Sequence, residues 1–195
     1  MRDIVVIGAS AGAIAALREI IRPLPANFRG AIFVVVHLPA ESPSVLPQIL
    51  SGAGALKAAH PSDGERIVPS RIYVAPPDHH MLIEPGQVRI THGPRENRHR
   101  PAIDPLFRTA ARSYGPRVLG IVLSGNLDDG TAGLHIIKSE GGSAIVQDPS
   151  EAVFESMPRS ALRVVKVDFV LPVSAIAAKI LELATEPASV RRKTG

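Results

Sequence analysis

Short apolar runs alternate with longer amphipathic segments along this chain, and the alternation predicts its architecture. Residues 3–7, 31–36 and 118–123 are almost entirely apolar and rich in Val and Ile. Strands without alternating polar positions are buried on both faces, as in a parallel sheet that helices cover on both sides. Each of these runs ends at a polar or glycine-containing stretch, after which a helical pattern begins.

Turn and cap residues mark the remaining elements. Ser42 and Pro43 suit the N-cap and first position of a helix to about residue 50, and Pro85-Gly86 suits the turn between strands 81–84 and 87–91. The other predicted helices are 13–21, 104–114, 131–139, 158–164 and 173–183, and the other predicted strands are 71–75, 144–147 and 168–171. We therefore expect a doubly wound α/β fold, a mainly parallel, Rossmann-like sheet between two helical layers, with an antiparallel hairpin near residues 81–91. Residues 1–185 would form one domain, followed by a disordered basic tail at 186–195.

Composition excludes several classes of protein. The 195 residues include no Cys, which excludes a disulfide framework and a thiolate metal site. No apolar run approaches the roughly 20 residues of a membrane span, and no signal-peptide pattern opens the chain, so we expect a cytoplasmic protein. The net charge is +4, but no nucleic-acid-binding motif accompanies the basic clusters at 95–100 and 191–193. We expect no nucleic-acid partner; an acidic protein partner suits this charge equally, and we expect a monomer.

The first candidate for chemistry follows the first predicted strand. Gly8-Ala9-Ser10-Ala11-Gly12 matches the G-x-S-x-G pattern of a nucleophile between a strand and a helix. A tight turn exposes the hydroxyl, and the N–H groups that follow it lie at a helix N-terminus, where they can stabilise an oxyanion. A structural turn or a phosphate-binding loop would also fit. The dinucleotide pattern G-x-G-x-x-G is not matched, because Ser10 occupies the position of its second glycine.

A serine nucleophile needs a base, and His37 is the only one of seven histidines that directly follows a fully apolar strand. Strand ends in such a sheet meet at one edge, so His37 can approach Ser10. Asp128 and Asp129 follow the third apolar strand, and either carboxylate could orient an imidazole or cap the next helix. No further ligands are spaced to complete a metal site, so we expect no metal and no cofactor.

Seven separated stretches between residues 3 and 183 resemble the catalytic domain of the CheB methylesterase family: IGASAG, VVVHLP, YVAPPDHH, HRPAIDPLF, LSGNLDDGTAGL, GGSAIVQDP and ESMPRSAL. The resemblance implies hydrolysis of glutamate γ-methyl esters on methyl-accepting chemotaxis receptors, and glutamine deamidation in some members. It implies a triad of Ser10, His37 and Asp129, the aspartate directly before a glycine. Family members of the main chemotaxis pathway carry a receiver domain before the catalytic strand. Met1 lies two residues before that strand, so we expect a catalytic domain that stands alone.

The resemblance also assigns the oxyanion hole, to the backbone N–H groups of Ala11 and Asn126. The usual family motifs are G-A-S-T-G-G and L-T-G-M-G-x-D-G. In the first, Ala11 replaces Thr and Ala13 replaces the last Gly; in the second, Asn126 replaces Met and Leu127 replaces Gly. If that glycine has a positive φ, Leu127 costs about 1 kcal/mol or more, or the loop differs. Arg159 could contact an acidic receptor helix or simply be exposed. Three alternatives stay open: a hydrolase of another ester, a catalytically impaired binding module and, least favoured, a nucleotide-binding domain.

Overall fold

Seven parallel strands form the central sheet of the computed structural model, which describes residues 1–37 and 44–186. The strands of the described residues are β1 (Ile4–Ala9), β2 (Ala31–Val36), β3 (Lys57–Ala59), β4 (Arg71–Val74), β5 (His80–Glu84), β6 (Gln87–Thr91), β7 (Val118–Val122), β8 (Ser143–Gln147) and β9 (Phe169–Leu171). The sheet has the order β3-β4-β2-β1-β7-β8-β9, with every neighbouring pair parallel. β5 and β6 pair with each other in a separate antiparallel hairpin.

Helices cover both faces of the sheet. Those of the described residues are α1 (Ile14–Ile21), α2 (Leu46–Ser51), α3 (Ile103–Tyr114), α4 (Thr131–Ser139), α5 (Ser156–Val164) and α6 (Val173–Thr185). α1, α2 and α6 pack on one face, whereas α3, α4, α5 and the hairpin pack on the other. Successive β1 residues enter different cores, Val5 and Ile7 the first and Ile4 and Val6 the second. Burial on both faces explains why this strand is apolar throughout.

The direction of the chain across the sheet reverses beside β1. From β1 the chain continues to β2 on one side, while β7 leads to β8 on the other, so α1 and α4 lie on opposite faces. The loops that leave the carboxyl ends of β1 and β7 diverge, and this crevice is the usual place for a ligand site in such a sheet. The register pairs Ala9 with Val36 and Gly8 with Val122, which brings the residues that follow each strand to one edge.

The predicted fold class is confirmed, with local differences. The main sheet is wholly parallel, because the antiparallel hairpin is separate and packs against α3. Lys57–Ala59 forms an unpredicted strand, since a three-residue edge strand needs no apolar run. α2 begins at Leu46; the predicted cap at Ser42 and Pro43 lies outside the described residues, as does the predicted tail after residue 186. Among the residues described, every helix is too short or too polar to cross a membrane.

Candidate active site

The turn after β1 presents Ser10 at the carboxyl edge of the sheet. The Ser10 N–H donates to the carbonyl of Ser124 at 3.0 Å, which ties the turn to the loop after β7. Gly12 has a φ of 77°, a left-handed conformation that favours glycine, and an added Cβ would lie 2.7 Å from the Val153 Cβ. Backbone conformation and packing therefore fix the turn, while Ser10 itself stays partly exposed.

His37 lies beside Ser10 because β1 and β2 are parallel neighbours. The His37 N–H donates to the carbonyl of Ala9 at 3.3 Å, one residue beyond the last register pair. The imidazole Nε2 lies 2.7 Å from Asp129 Oδ2, and the buried Nδ1 has no hydrogen-bond partner among the described residues. The structure thus pairs His37 with Asp129, whereas no hydrogen bond joins Ser10 to Nδ1.

Asp129 is held by helix α3 rather than by α4, the helix that follows it. Its Oδ2 accepts from the Ile103 N–H at 2.7 Å, and its Oδ1 accepts from the Asp104 N–H at 3.1 Å. The N-cap residue of α3 provides no side-chain cap, so Asp129 satisfies these N–H groups and gains from the helix dipole. Burial raises the pKa of Asp129, but hydrogen bonds from His37, Ile103 and a side-chain amide outweigh it and lower the pKa below its usual value.

A second buried carboxylate, that of Asp104, caps the N-terminus of α4, just as Asp129 caps the N-terminus of α3. Asp104, in the first turn of α3, accepts from the Gly133 N–H in the first turn of α4, at 2.6 Å. Each helix is therefore capped by a carboxylate from the other helix or its leading loop. Burial raises the pKa of Asp104 above its usual value; the Gly133 hydrogen bond opposes this shift, and the charge of Asp129 adds to it.

A tight four-residue hairpin, Glu96 to His99, reaches this pair of carboxylates. Glu96 and His99 exchange backbone hydrogen bonds of 3.1 and 2.8 Å, and Asn97 and Arg98 between them have φ of 49° and 68°. Two consecutive left-handed residues are typical of a type I′ turn. The Glu96 carboxylate pairs with Arg108 of α3 through contacts of 2.6 and 2.7 Å, which anchors the hairpin to the helix.

The hairpin contributes two side chains to the site. Asn97 Nδ2 donates to Asp129 Oδ1 at 2.7 Å and to Asp104 Oδ2 at 2.8 Å. The His99 ring stacks on the His37 ring, with centroids 3.6 Å apart and planes 4° from parallel. Burial lowers the pKa of His99, and the neighbouring His37 lowers it further. Asn97 thus contacts the carboxylate of the His37–Asp129 pair, and His99 contacts the imidazole.

Sequence patterns do not mark Asn97, His99 or Asp104 as site residues. The first two lie between the predicted strand 87–91 and the predicted helix 104–114, and the third lies at the start of that helix. The family stretch HRPAIDPLF contains His99 and Asp104 and was the available signal. Of the two adjacent aspartates, Asp129 is buried and makes the contacts described above, whereas Asp128 is exposed.

The loop after β7 packs against the Ser10 turn. Ser124 Oγ donates to the carbonyl of Ala11 at 2.9 Å. Gly125 has no room for a side chain, because an added Cβ would lie 2.8 Å from the Ser10 Cβ and would overlap the Met157 Sδ. Met157 of α5 is fully buried against this glycine.

Asn126 and Leu127 follow that glycine and are both exposed. Within the described part of the chain, neither the Asn126 N–H nor the Ala11 N–H donates a hydrogen bond. Leu127 has a φ of 66°, and 55% of its surface is exposed. The loop keeps the left-handed conformation expected of a glycine, and Leu127 bears the strain.

Arg159, the predicted substrate contact, is exposed on α5 and forms an ion pair of 2.8 Å with Glu155, one turn earlier. It makes no contact in the structure that identifies a ligand. In the described residues, no group of three or more His, Asp and Glu side chains is arranged to hold a metal ion.

The family described as CheB methylesterase matches residues 5–180 of the chain. A relative from Leptospira interrogans is 40% identical over 182 residues, which cover 93% of this chain and 94% of that protein. Protein-glutamate methylesterase/protein-glutamine glutaminase 5 of Anaeromyxobacter dehalogenans is 38% identical over 184 residues, but the match spans only 51% of its length. The crystal structure of the Thermotoga maritima CheB methylesterase catalytic domain matches with a TM-score of 0.89 and 34% identity, covering 94% of this chain and 99% of that one.

Proposed function

The chain belongs to the CheB methylesterase family, and from that premise we propose that it is a serine hydrolase that removes methyl esters from glutamate γ-carboxyls of chemoreceptors. The names of its relatives support glutamine deamidation as a second reaction. One observation carries the proposal: His37 Nε2 lies 2.7 Å from the buried Asp129 carboxylate, Nδ1 is unpaired among the described residues, and the His37 N–H donates to Ala9, the residue before Ser10. Such pairing fixes the imidazole tautomer and leaves the opposite nitrogen as the base.

In the proposed first step, Ser10 Oγ attacks the ester carbonyl carbon while His37 Nδ1 takes the hydroxyl proton. The Nε2–H remains bonded to Asp129, whose negative charge stabilises the imidazolium. The N–H groups of Ala11 and Asn126 donate to the tetrahedral oxyanion, each contributing on the order of 100-fold in rate. His37 then gives its proton to the methoxy oxygen, and methanol leaves the acyl-enzyme.

In the second step, water attacks the ester between the glutamyl group and Ser10. His37 Nδ1 takes a proton from this water and returns it to Ser10 Oγ as the C–O bond breaks. The product is a glutamate γ-carboxylate, and the enzyme regains its starting protonation state. With glutamine as substrate, ammonia replaces methanol as the leaving group. These steps need no metal or cofactor.

The proposed partner is an acidic helix of a methyl-accepting chemotaxis receptor, and we propose that the enzyme acts on it as a cytoplasmic monomer. Arg159 is the proposed contact, because it is exposed on α5, whose Met157 N–H donates to the carbonyl of Gly125 at 3.0 Å. A receptor carboxylate would take the place of Glu155. R159A is expected to raise KM for methylated receptor and to leave hydrolysis of a small ester unchanged, whereas R163A on the same helix should change neither.

Methanol release from methylated receptor tests the proposed reaction. S10A is expected to lower kcat by about 10⁴-fold or more with little change in Tm, because Ser10 is partly exposed. A fluorophosphonate probe should label the wild type at Ser10 and leave S10A unlabelled. Full activity of S10A would refute the proposal. Rapid turnover of small esters without methanol release from receptor would point to another ester substrate, and absence of labelling would point to a binding module.

A further inference from the structure

We propose that Asn97 is a positioning residue of the active site: its amide keeps Asp129 separate from the second buried carboxylate, Asp104, and aims it at His37. The proposal rests on the proposed esterase function and deepens it. Its basis is one Nδ2 group that donates to both carboxylates, at 2.7 Å to Asp129 and 2.8 Å to Asp104. An amide nitrogen carries two hydrogens, so each carboxylate receives one.

Asp104 and Asp129 are both buried and lie close enough to accept from the same nitrogen atom, so their charges need a hydrogen-bond donor between them. Burial disfavours the charge on each, and their mutual repulsion favours a state in which the pair shares one proton. A shared proton would weaken the negative charge with which Asp129 stabilises the His37 imidazolium. The Asn97 hydrogen bond lowers the pKa of both carboxyls and opposes this outcome.

Titratable and charged groups from several elements lie around this pair, among them His80 of β5, whose Nδ1 accepts from the Ala102 N–H at the start of α3. His37 comes from the end of β2, His99 and Glu96 from the hairpin, and Arg108 from α3. The Arg108 guanidinium pairs with Glu96 at 2.6 Å and, among the described residues, donates its side-chain hydrogen bonds to Glu96 rather than to either carboxylate. The donor that bridges the carboxylates is therefore the neutral Asn97 amide, which leaves the negative charge on Asp129 to act on His37.

Asn97 also occupies a left-handed turn position, where asparagine is favoured whatever its side chain contacts. Turn preference and carboxylate bridging predict different results for substitutions. Glycine keeps the left-handed backbone and removes the amide. Aspartate tolerates this backbone, but it replaces the donor with a third carboxylate. Arg98 also has a left-handed backbone, and within the described part of the chain it forms no hydrogen bond or ion pair with either carboxylate, so R98G is the matched control.

The experiment compares wild type, N97G, N97D and R98G in hydrolysis of p-nitrophenyl acetate as a function of pH. N97G is expected to lose about tenfold in kcat, the effect of one hydrogen bond to a charged group. Its acidic limb should move to lower pH, because the Asp129 charge that favours protonation of the base is weaker without the amide. N97D should lose more than N97G, and R98G should match the wild type. An N97D variant as active as the wild type, or an unmoved acidic limb in N97G, would overturn the proposal.

An NMR readout separates failure of this inference from failure of the proposed function. The His37 Nε2–H that bonds Asp129 should give a downfield proton resonance in wild type and R98G, and the resonance should broaden or disappear in N97G and N97D. Inactivity of the wild type towards all esters would refute the proposed function, while the resonance would still test Asn97. The same resonance in N97D as in wild type would overturn the role of Asn97.

Discussion

The candidate active site has two sides: a base side around His37 and Asp129, and a nucleophile side around Ser10. On the base side, the buried Asp129 carboxylate accepts hydrogen bonds from His37, Asn97 and two backbone N–H groups of α3. On the nucleophile side, the N–H groups of Ala11 and Asn126 donate no hydrogen bond within the described residues. The base side is thus assembled before any substrate binds. On the nucleophile side, we propose that a bound substrate accepts hydrogen bonds from these two N–H groups.

The departures from the family motifs fall on the nucleophile side, at Ala11, Ala13, Asn126 and Leu127. At position 127, a leucine fits because its side chain is exposed, so its cost to stability is confined to backbone strain. A change on the base side instead removes hydrogen bonds that two helices share. We therefore expect substitutions on the base side to reduce both the catalytic rate and the free energy of unfolding. Substitutions on the nucleophile side should change one of these quantities without the other.

The largest expected effect is that of D129N, which removes the charge at the centre of the base side. We expect kcat for methyl ester hydrolysis to fall by about 10⁴-fold, because the neutral amide stabilises neither the tautomer nor the imidazolium of His37. Stability should fall at neutral pH. The folded-state pKa of Asp129 is lowered, so its contribution is present above the unfolded value and is lost as pH falls through the folded pKa. Urea unfolding should therefore show a difference from wild type that shrinks in acid.

D128N is the matched control for this prediction, because Asp128 is adjacent and exposed. Its effect on the unfolding free energy should stay within about 0.5 kcal/mol, as for other exposed positions. Equal rate losses in D128N and D129N would show that the loop as a whole, rather than the Asp129 carboxylate, supports the base.

A smaller effect is expected from substitution of His99, whose ring stacks on the His37 ring with the two centroids 3.6 Å apart. H99A should lower kcat by about threefold to tenfold, the worth of an aromatic pair, and H99F should retain most of the rate. The pKa of His99 is lowered by burial and by His37, with Asp129 and Arg95 also acting on it. The unfolded chain therefore binds the proton more readily, and stability falls as pH drops through the unfolded value near about 6.5. H99F should lose part of this acid sensitivity in urea unfolding, and an unchanged dependence would contradict the assignment.

The strands could be predicted from the sequence because burial on both faces leaves an uninterrupted apolar run, as in β1 and β2. The positions of Ser10 and His37 follow from the same argument, since each comes directly after such a run. The candidate base and nucleophile can therefore be predicted from local sequence patterns alone. Strand β3 cannot be predicted in this way, because its three residues form a strand by pairing with β4 and not because of their own composition.

The support for the base side could not be predicted in this way. An aspartate before a helix is expected to cap that helix, whereas Asp129 caps α3, whose first residue is 26 positions away in sequence. Nothing in the local pattern of residues 96–99 distinguishes a solvent-exposed loop from a hairpin that bridges two carboxylates. Such contacts arise from the packing of α3 against α4, which local sequence patterns do not contain.

The smallest expected effect is that of L127G, which tests whether backbone conformation alone sets the loop on the nucleophile side. Leu127 already has a φ of 66°, so glycine should relieve strain without moving the Asn126 N–H. Relief of about 1–2 kcal/mol, less the entropy cost of about 0.5–1 kcal/mol for glycine, leaves a gain of about 0.5–1 kcal/mol in unfolding free energy. R98G, with a φ of 68°, should gain a similar amount. Because both loops keep their conformation, neither variant should change kcat on a small ester. A large rate increase in L127G alone would mean that Leu127 displaces the Asn126 N–H in the wild type. The wild-type oxyanion hole would then be defective and not only empty of substrate.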